Sequence, residues 1–77
     1  MSRLVKTMPA KLLDVVALLE DKPASHLVAG QVGTIVEVLA PGVFEVEFCD
    51  LAGNSIGFVE LHRDEILVLR HEAALAA

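Results

Sequence analysis

Apolar and polar residues alternate along much of this chain, in short runs bounded by glycine or proline. The clearest run covers residues 43–49, where apolar residues alternate with glutamates. Because successive side chains of a strand point to opposite faces, this run predicts a strand with one apolar face. β-Branched residues over 31–39 predict the strand before it, and 56–61 predicts the strand after it. The side chains expected in the core from the central run are Phe44, Val46 and Phe48.

Turn signals separate these three predicted strands. Pro41 and Gly42 lie between the first two strands, and Gly53 and Asn54 lie between the next two. Proline followed by glycine, or glycine beside asparagine, is typical of tight turns between antiparallel strands. Residues 31–61 are therefore expected to form hairpins in series.

One further strand is predicted on each side of these hairpins. Residues 11–20 fit both a helical stripe and a buried strand, and the short β-branched elements that follow favour the strand. The segment 62–65 is long enough for one 3₁₀ turn, and the apolar residues at 66–69 predict a closing strand. Five short strands are too few for a sandwich, whereas a small closed or nearly closed barrel hides its edges and its single core together.

The length of 77 residues suits one domain, which we expect over residues 11–70. Residues 1–10 show no hydrophobic period and are expected to form a flexible N-terminal lead. Residues 71–77 are expected to form a flexible, alanine-rich C-terminal tail. The Ala-Leu-Ala-Ala end of that tail is similar to the bacterial tag that marks stalled translation products for degradation.

The segment Gly-Gln-Val-Gly-Thr-Ile-Val-Glu-Val at residues 30–38 resembles the glycine-turn-strand signature of SH3-like barrels, such as the end domain of the nitrile hydratase β-subunit. Together with residues 13–21, 44–48 and 66–69, it resembles a small bacterial family, domain of unknown function 4926, over residues 11–70. The resemblance implies an all-β fold, a small five-stranded SH3-like barrel. It implies no assigned activity and supplies no catalytic residues.

Charge and hydropathy bear on the partners that we expect. The net charge is -5, and from Leu12 onward three basic residues stand against all eleven acids. Such a surface repels phosphate backbones, so we expect no nucleic acid partner. The longest aliphatic run, residues 15–19, is far shorter than the ~20 residues of a membrane helix, so no membrane association is expected. The first residues lack the apolar region of a signal peptide, which favours a cytoplasmic location.

The side chains that could carry chemistry are few. Cys49 could act as a nucleophile with His26, His62 or His71 as its base, or could bind zinc with two of them. Its acidic neighbours disfavour a thiolate, and the closely spaced ligand pairs of structural zinc sites do not occur. We therefore expect no catalytic residue, no metal, no cofactor and no enzymatic activity.

Two surfaces are candidates for binding another protein. Glu45 and Glu47 alternate with the inward phenylalanines and are expected on the outer face, near Glu37 of the preceding strand. These carboxylates are either a solvated surface or an acidic docking face for a basic partner. With 55% apolar residues, the chain also carries more aliphatic side chains on its first and fifth strands than a small barrel can bury, which allows self-association. The aliphatic candidates are Leu13, Val15, Leu67 and Leu69.

A proline-rich ligand is not expected, because that recognition needs an aromatic-lined groove and the chain has no Trp or Tyr. The sequence thus favours a non-catalytic protein–protein interaction module with an acidic surface. Two alternatives stay open. One is an antitoxin or immunity-type partner of a neighbouring toxin-like protein, which the gene arrangement of the resembling family implies. The other is an accessory subunit of a multi-chain enzyme, by analogy with barrels appended to hydratases and redox complexes.

Overall fold

A computed structural model describes residues 10–69, which form five antiparallel strands in one sheet. The strands are β1 (Val15–Leu18), β2 (Val32–Ala40), β3 (Val43–Cys49), β4 (Ser55–His62) and β5 (Ile66–Val68). Their order in the sheet is β4-β3-β2-β1-β5. Single 3₁₀ turns lie between β1 and β2, at Pro23–Ser25, and between β4 and β5, at Arg63–Glu65. In this range there is no helix of the length and hydropathy needed to cross a membrane.

The prediction of an all-β chain with five strands is confirmed, whereas the assignment to the SH3-like barrels stays a prediction. The ambiguous segment 11–20 contains a strand, but the strand covers only Val15–Leu18. It begins late because the chain first makes a turn before Val15. The predicted lead at 1–10 and tail at 71–77 lie outside the described residues, apart from Ala10.

The inner face of the sheet carries the core. The alternation predicted for β3 is confirmed, since Phe44, Val46 and Phe48 are all buried. Val16 and Leu18 of β1 alternate in the same way and pack into the same cluster. Residues from the loop after β1 and from three other strands complete it. These are Leu27, Ile35, Leu61 and Ile66.

Gly33 of β2 lies opposite Phe48 of β3, at a point where the two strands are tightly packed. A Cβ atom at Gly33 would lie 2.8 Å from the carbonyl oxygen of Glu47 and 3.0 Å from Cδ2 of Phe48. Backbone and a buried ring cannot easily move away, so only glycine fits this position. The segment 30–38 therefore uses its two glycines differently. Gly33 allows close packing, while Gly30, with φ of 94°, allows the turn into β2.

We predict that Gly33→Ala lowers the free energy of unfolding by about 1–3 kcal/mol, the usual cost of overpacking a core. Urea denaturation followed by circular dichroism measures the change. Val32→Ala is the matched control, because the Val32 side chain is half exposed on the other face of β2. Equal stabilities of Gly33→Ala and the wild-type protein would contradict the close packing at this position.

Leu13 occupies a position that usually belongs to glycine. The N–H of Asp14 donates to the carbonyl of Lys11 at 3.0 Å, which closes a four-residue turn, and Leu13 at its third position has φ of 72°. A positive φ at this position is typical of glycine in a type II turn. The Leu13 side chain is 69% exposed, so burial offsets little of the backbone strain.

We predict that Leu13→Gly raises the free energy of unfolding by roughly 0.5–1 kcal/mol. Relief of about 1–2 kcal/mol of strain exceeds the entropic cost of an added glycine, about 0.5–1 kcal/mol. Leu12→Gly is the control, since Leu12 is 52% exposed but has an ordinary φ, and this change should destabilise the protein. Equal losses of stability in the two variants would refute the assignment of strain to Leu13.

Candidate interaction surface

Three carboxylates lie side by side on the outer face of the sheet, the face turned away from the core. Glu37 of β2 pairs with Glu45 of β3, and Glu45 pairs with Glu60 of β4. Directly opposite residues in an antiparallel sheet place their Cβ atoms about 4.5–5.5 Å apart. Glu37, Glu45 and Glu60 therefore form one row across three strands, which we call the carboxylate row.

A β-bulge places Glu37 in this row. Ile35 is buried on the inner face, and simple alternation would put Glu37 on that face too. The register between β2 and β3 shifts between Ile35 and Glu37, so one extra residue, Val36, separates the two paired positions. A bulge of this kind re-aims the side chains that follow it, and here it turns Glu37 outward.

Neither of the two ion pairs found within residues 10–69 includes a glutamate of the carboxylate row. Those pairs join Lys11 to Asp14 and Lys22 to Glu65. Like charges directly opposite each other in a sheet repel. The row therefore costs stability in the isolated protein, and added positive charge at this place would offset the cost.

Two further rows cross the same face beside the carboxylate row. In the nearer one, Val15 of β1 pairs with Thr34, Thr34 with Glu47, and Glu47 with Phe58 of β4. In the farther one, Leu67 of β5 pairs with Ala17, and Ala17 pairs with Val32. The face is thus acidic at one end and mostly apolar at the other.

The structure brings most of the predicted binding residues onto this single face. Glu37, Glu45 and Glu47 lie there, as do Val15 and Leu67 from the aliphatic set. The N–H of Leu69 donates to the carbonyl of Val15 at 2.9 Å, which places Leu69 beside that strand. Leu13 lies apart from the rows, in the turn before β1. The acidic candidates and the aliphatic candidates Val15 and Leu67 are therefore parts of one surface.

Sequence reasoning did not select the apolar side chains of the β3–β4 hairpin. Phe58 is 56% exposed, Ile56 is 50% exposed, and Leu51 in the loop is fully exposed. The signal for Phe58 was available, because it shares its parity with the polar Glu60 and not with the buried Leu61. Phe58, in the row beside the carboxylate row, and Ile56 and Leu51, farther from it, are the apolar part of the candidate surface.

The loop that presents Leu51 is held in place by one carboxylate. Oδ1 of Asp50 accepts the N–H groups of Ala52 and Asn54, each at 2.9 Å. These hydrogen bonds, above all that from the backbone of Asn54, hold the pKa of Asp50 below its ordinary value. A loop tied in this way presents Leu51 with little loss of chain entropy on binding.

A cavity of about 220 Å³ lies between the loop after β1 and strand β4. We call it the edge cavity. Its wall from the loop is anchored by Leu27, which is buried and exchanges backbone hydrogen bonds of 2.9 and 3.2 Å with Lys22. Lys22 in turn forms an ion pair with Glu65. The cavity is lined by Ser25, Leu27, Phe48, Ile56, Gly57, Phe58 and Val59.

Cys49 is exposed at the end of β3, and it lines a depression whose other lining residues include no histidine. Nowhere in the described range do three or more His, Cys, Asp or Glu side chains come together as a metal site. The depression is lined by Gln31, Val32, Cys49, Asp50, Leu51 and Ile56. The outer face of the sheet carries charged carboxylates and exposed apolar side chains.

A family model described as "Domain of unknown function (DUF4926)" matches residues 12–68, which span all five strands. No curated protein and no solved structure matches the chain significantly.

The ion pair between Lys22 and Glu65 makes stability depend on pH. The pKa of Glu65 lies below its ordinary value of 4.5, because its carboxylate accepts the backbone N–H of His62 at 2.7 Å and a hydrogen bond from Lys22. The pKa of Lys22 lies above 10.5, chiefly because of the hydrogen bond to Glu65. The contribution of Glu65 is complete above pH 4.5 and is lost as the pH falls through its lowered pKa. That of Lys22 is complete below 10.5 and is lost as the pH rises through its raised pKa.

We predict that Glu65→Gln destabilises the protein at neutral pH and that the difference from wild type shrinks as the pH falls below 4.5. Thermal unfolding at a series of pH values measures the difference. Asp64→Asn, at the exposed neighbouring position, is the control and should leave the shape of the profile unchanged. A constant difference between Glu65→Gln and wild type across the acid range would contradict this assignment.

Proposed function

The chain belongs to the family of domain of unknown function 4926, and on the geometry of its outer face we propose that it is a non-catalytic protein–protein interaction module. The observation that carries the proposal is the carboxylate row of Glu37, Glu45 and Glu60. Its like charges oppose one another across three strands, outside both described ion pairs. A basic partner offsets this repulsion and associates faster through electrostatic attraction.

The exposed apolar residues of the same face support the same proposal. Ile56 and Leu51 line one depression together with Val32, and Phe58 lies two residues from Ile56 on β4. Buried aromatic and aliphatic side chains supply most of the binding energy at protein interfaces. We therefore assign specificity, association rate and part of the affinity to the carboxylates, and the rest of the affinity to the apolar side chains.

The identity of the partner would separate the narrower forms of this function. An antitoxin or immunity-type role requires a toxic protein as the partner, and an accessory role requires a subunit of a larger enzyme. The aliphatic end of the face, with Val15, Leu67 and Leu69, would also allow a second copy of the chain to bind. All of these forms use the same outer face.

We predict that neutralising the row with Glu37→Gln, Glu45→Gln and Glu60→Gln together abolishes partner binding without unfolding the protein. Affinity purification from an extract of the source cells, quantified by mass spectrometry, compares this variant with wild type. The control carries Glu20→Gln and Asp64→Asn, two exposed acids outside the row. At least one protein should be retained by wild type and control and lost by the triple variant, and its retention should fall with added salt.

Thermal unfolding of the same triple variant shows whether a loss of binding comes from unfolding of the protein. Because repulsion within the row is removed, the variant should be at least as stable as wild type. A triple variant that is folded and retains the same proteins as wild type would overturn the proposal.

A further inference from the structure

Strand β4 ends the sheet and has a free edge. It is eight residues long, and within residues 10–69 it pairs with β3 and with no other strand. No backbone hydrogen bond within residues 10–69 joins the other side of β4 to another segment. A long strand with one unpaired edge is a template for the addition of another strand.

The register shows which backbone groups face this edge. The N–H of Arg63 donates to the carbonyl of Gly42 at 2.9 Å, on the side of β3. Alternate residues of an antiparallel strand direct their backbone groups to opposite sides. By this alternation Phe58 and Glu60 direct their N–H and C=O groups to the free edge. The edge ends at His62, whose N–H is satisfied by Glu65 at 2.7 Å.

The edge cavity lies directly beside these groups. On the inner side it is lined by Leu27, Phe48 and Val59, with Gly57 contributing no side chain. It is open to solvent and is also lined by Ser25, and its volume of about 220 Å³ exceeds the roughly 150 Å³ of an engineered cavity that accommodates benzene. The cavity can therefore take one leucine or phenylalanine side chain from a strand added at the edge.

Charge determines what lies on the outer side of such a strand. Glu60 already lies opposite Glu45, and Glu45 lies opposite Glu37. A residue of the added strand placed opposite Glu60 would therefore extend the carboxylate row. Cross-strand pairs of opposite charge stabilise a sheet and pairs of like charge destabilise it. A lysine or arginine is thus favoured at that place.

We propose that β4 accepts an extended segment of a partner protein as a sixth, antiparallel strand. The segment carries Lys or Arg opposite Glu60, then an apolar residue whose side chain enters the edge cavity opposite Val59, then an apolar residue opposite Phe58. The backbone groups of Phe58 and Glu60 supply the hydrogen bonds, and the cavity and the carboxylate row supply the specificity. This inference rests on the proposed function and names the partner's chemistry and its mode of binding.

The test uses short synthetic peptides built around Lys-Leu-Val and the full-length, isotope-labelled protein. Titration followed by NMR should shift the amide signals of Phe58 and Glu60, and saturation should slow hydrogen exchange of these two amides at least about tenfold. In the proposed register the N–H of the peptide valine faces β4, whereas that of the leucine faces away. N-methylation of the valine should weaken binding about tenfold, and N-methylation of the leucine should have little effect.

Two side-chain comparisons test the cavity and the charge. Replacing the peptide leucine by serine should abolish binding, because a polar side chain does not fill the edge cavity. Glu60→Gln should weaken binding of the Lys peptide about threefold and should remove its advantage over a peptide with Gln in place of Lys. Glu20→Gln is the matched control and should leave both affinities unchanged.

Several outcomes would overturn strand addition. One is that the amide signals of β4 do not shift at millimolar peptide. Another is that N-methylation of the valine and N-methylation of the leucine weaken peptide binding equally. Shifts confined to Thr34 and Glu47 would place the peptide on the sheet face, which refutes strand addition and leaves the proposed function standing. Shifts of β4 signals that grow with protein concentration alone would identify a second copy of the chain as the occupant. Failure of the proposed function itself is visible separately, in the extract experiment.

Discussion

The close packing of β2 against β3 at Gly33 and Phe48 is the constraint on which the rest of this structure depends. The ring of Phe48 lies where a side chain of β2 would otherwise stand, so the two central strands share one small core. β1 and β4 add their own alternate residues to the same buried cluster. In so short a chain this core uses most of the inner face, which leaves the functional possibilities to the outer face and the edges.

The outer face combines like-charge pairs, which oppose stability, with the surface for which we propose partner binding. Glu37, Glu45 and Glu60 oppose one another, although a lysine at any of these positions would stabilise the isolated sheet. Proteins tolerate such local costs mostly where a partner or substrate relieves them. The exposed Phe58 beside the row belongs to the same pattern, because natural edge strands usually avoid large apolar side chains.

The loop after β1 connects the core to the free edge. Leu27 packs into the core and also lines the edge cavity, and the ion pair of Lys22 with Glu65 ties this loop to the segment before β5. The cavity is therefore bounded by a fixed loop and by the end strand of the sheet. A preformed cavity and preformed backbone groups reduce the entropic cost of binding an extended segment.

The sequence by itself determined the strand content, the turns and the inward face of β3. These features follow from local alternation and from proline and glycine signals, as Phe44, Val46 and Phe48 illustrate. It also indicated an acidic outer surface, through Glu45 and Glu47. Each of these features depends on residues close together in the chain.

The tertiary structure alone decided which outward residues meet. Glu37 joins the carboxylate row because a bulge at Val36 reverses the simple alternation, and bulges leave no clear mark in a sequence. The pairing of Glu45 with Glu60 depends on the register of a hairpin, and the edge cavity depends on Leu27 returning to the core from a distant loop. Register and long-range packing arise from the fit of the whole core, which no local pattern encodes.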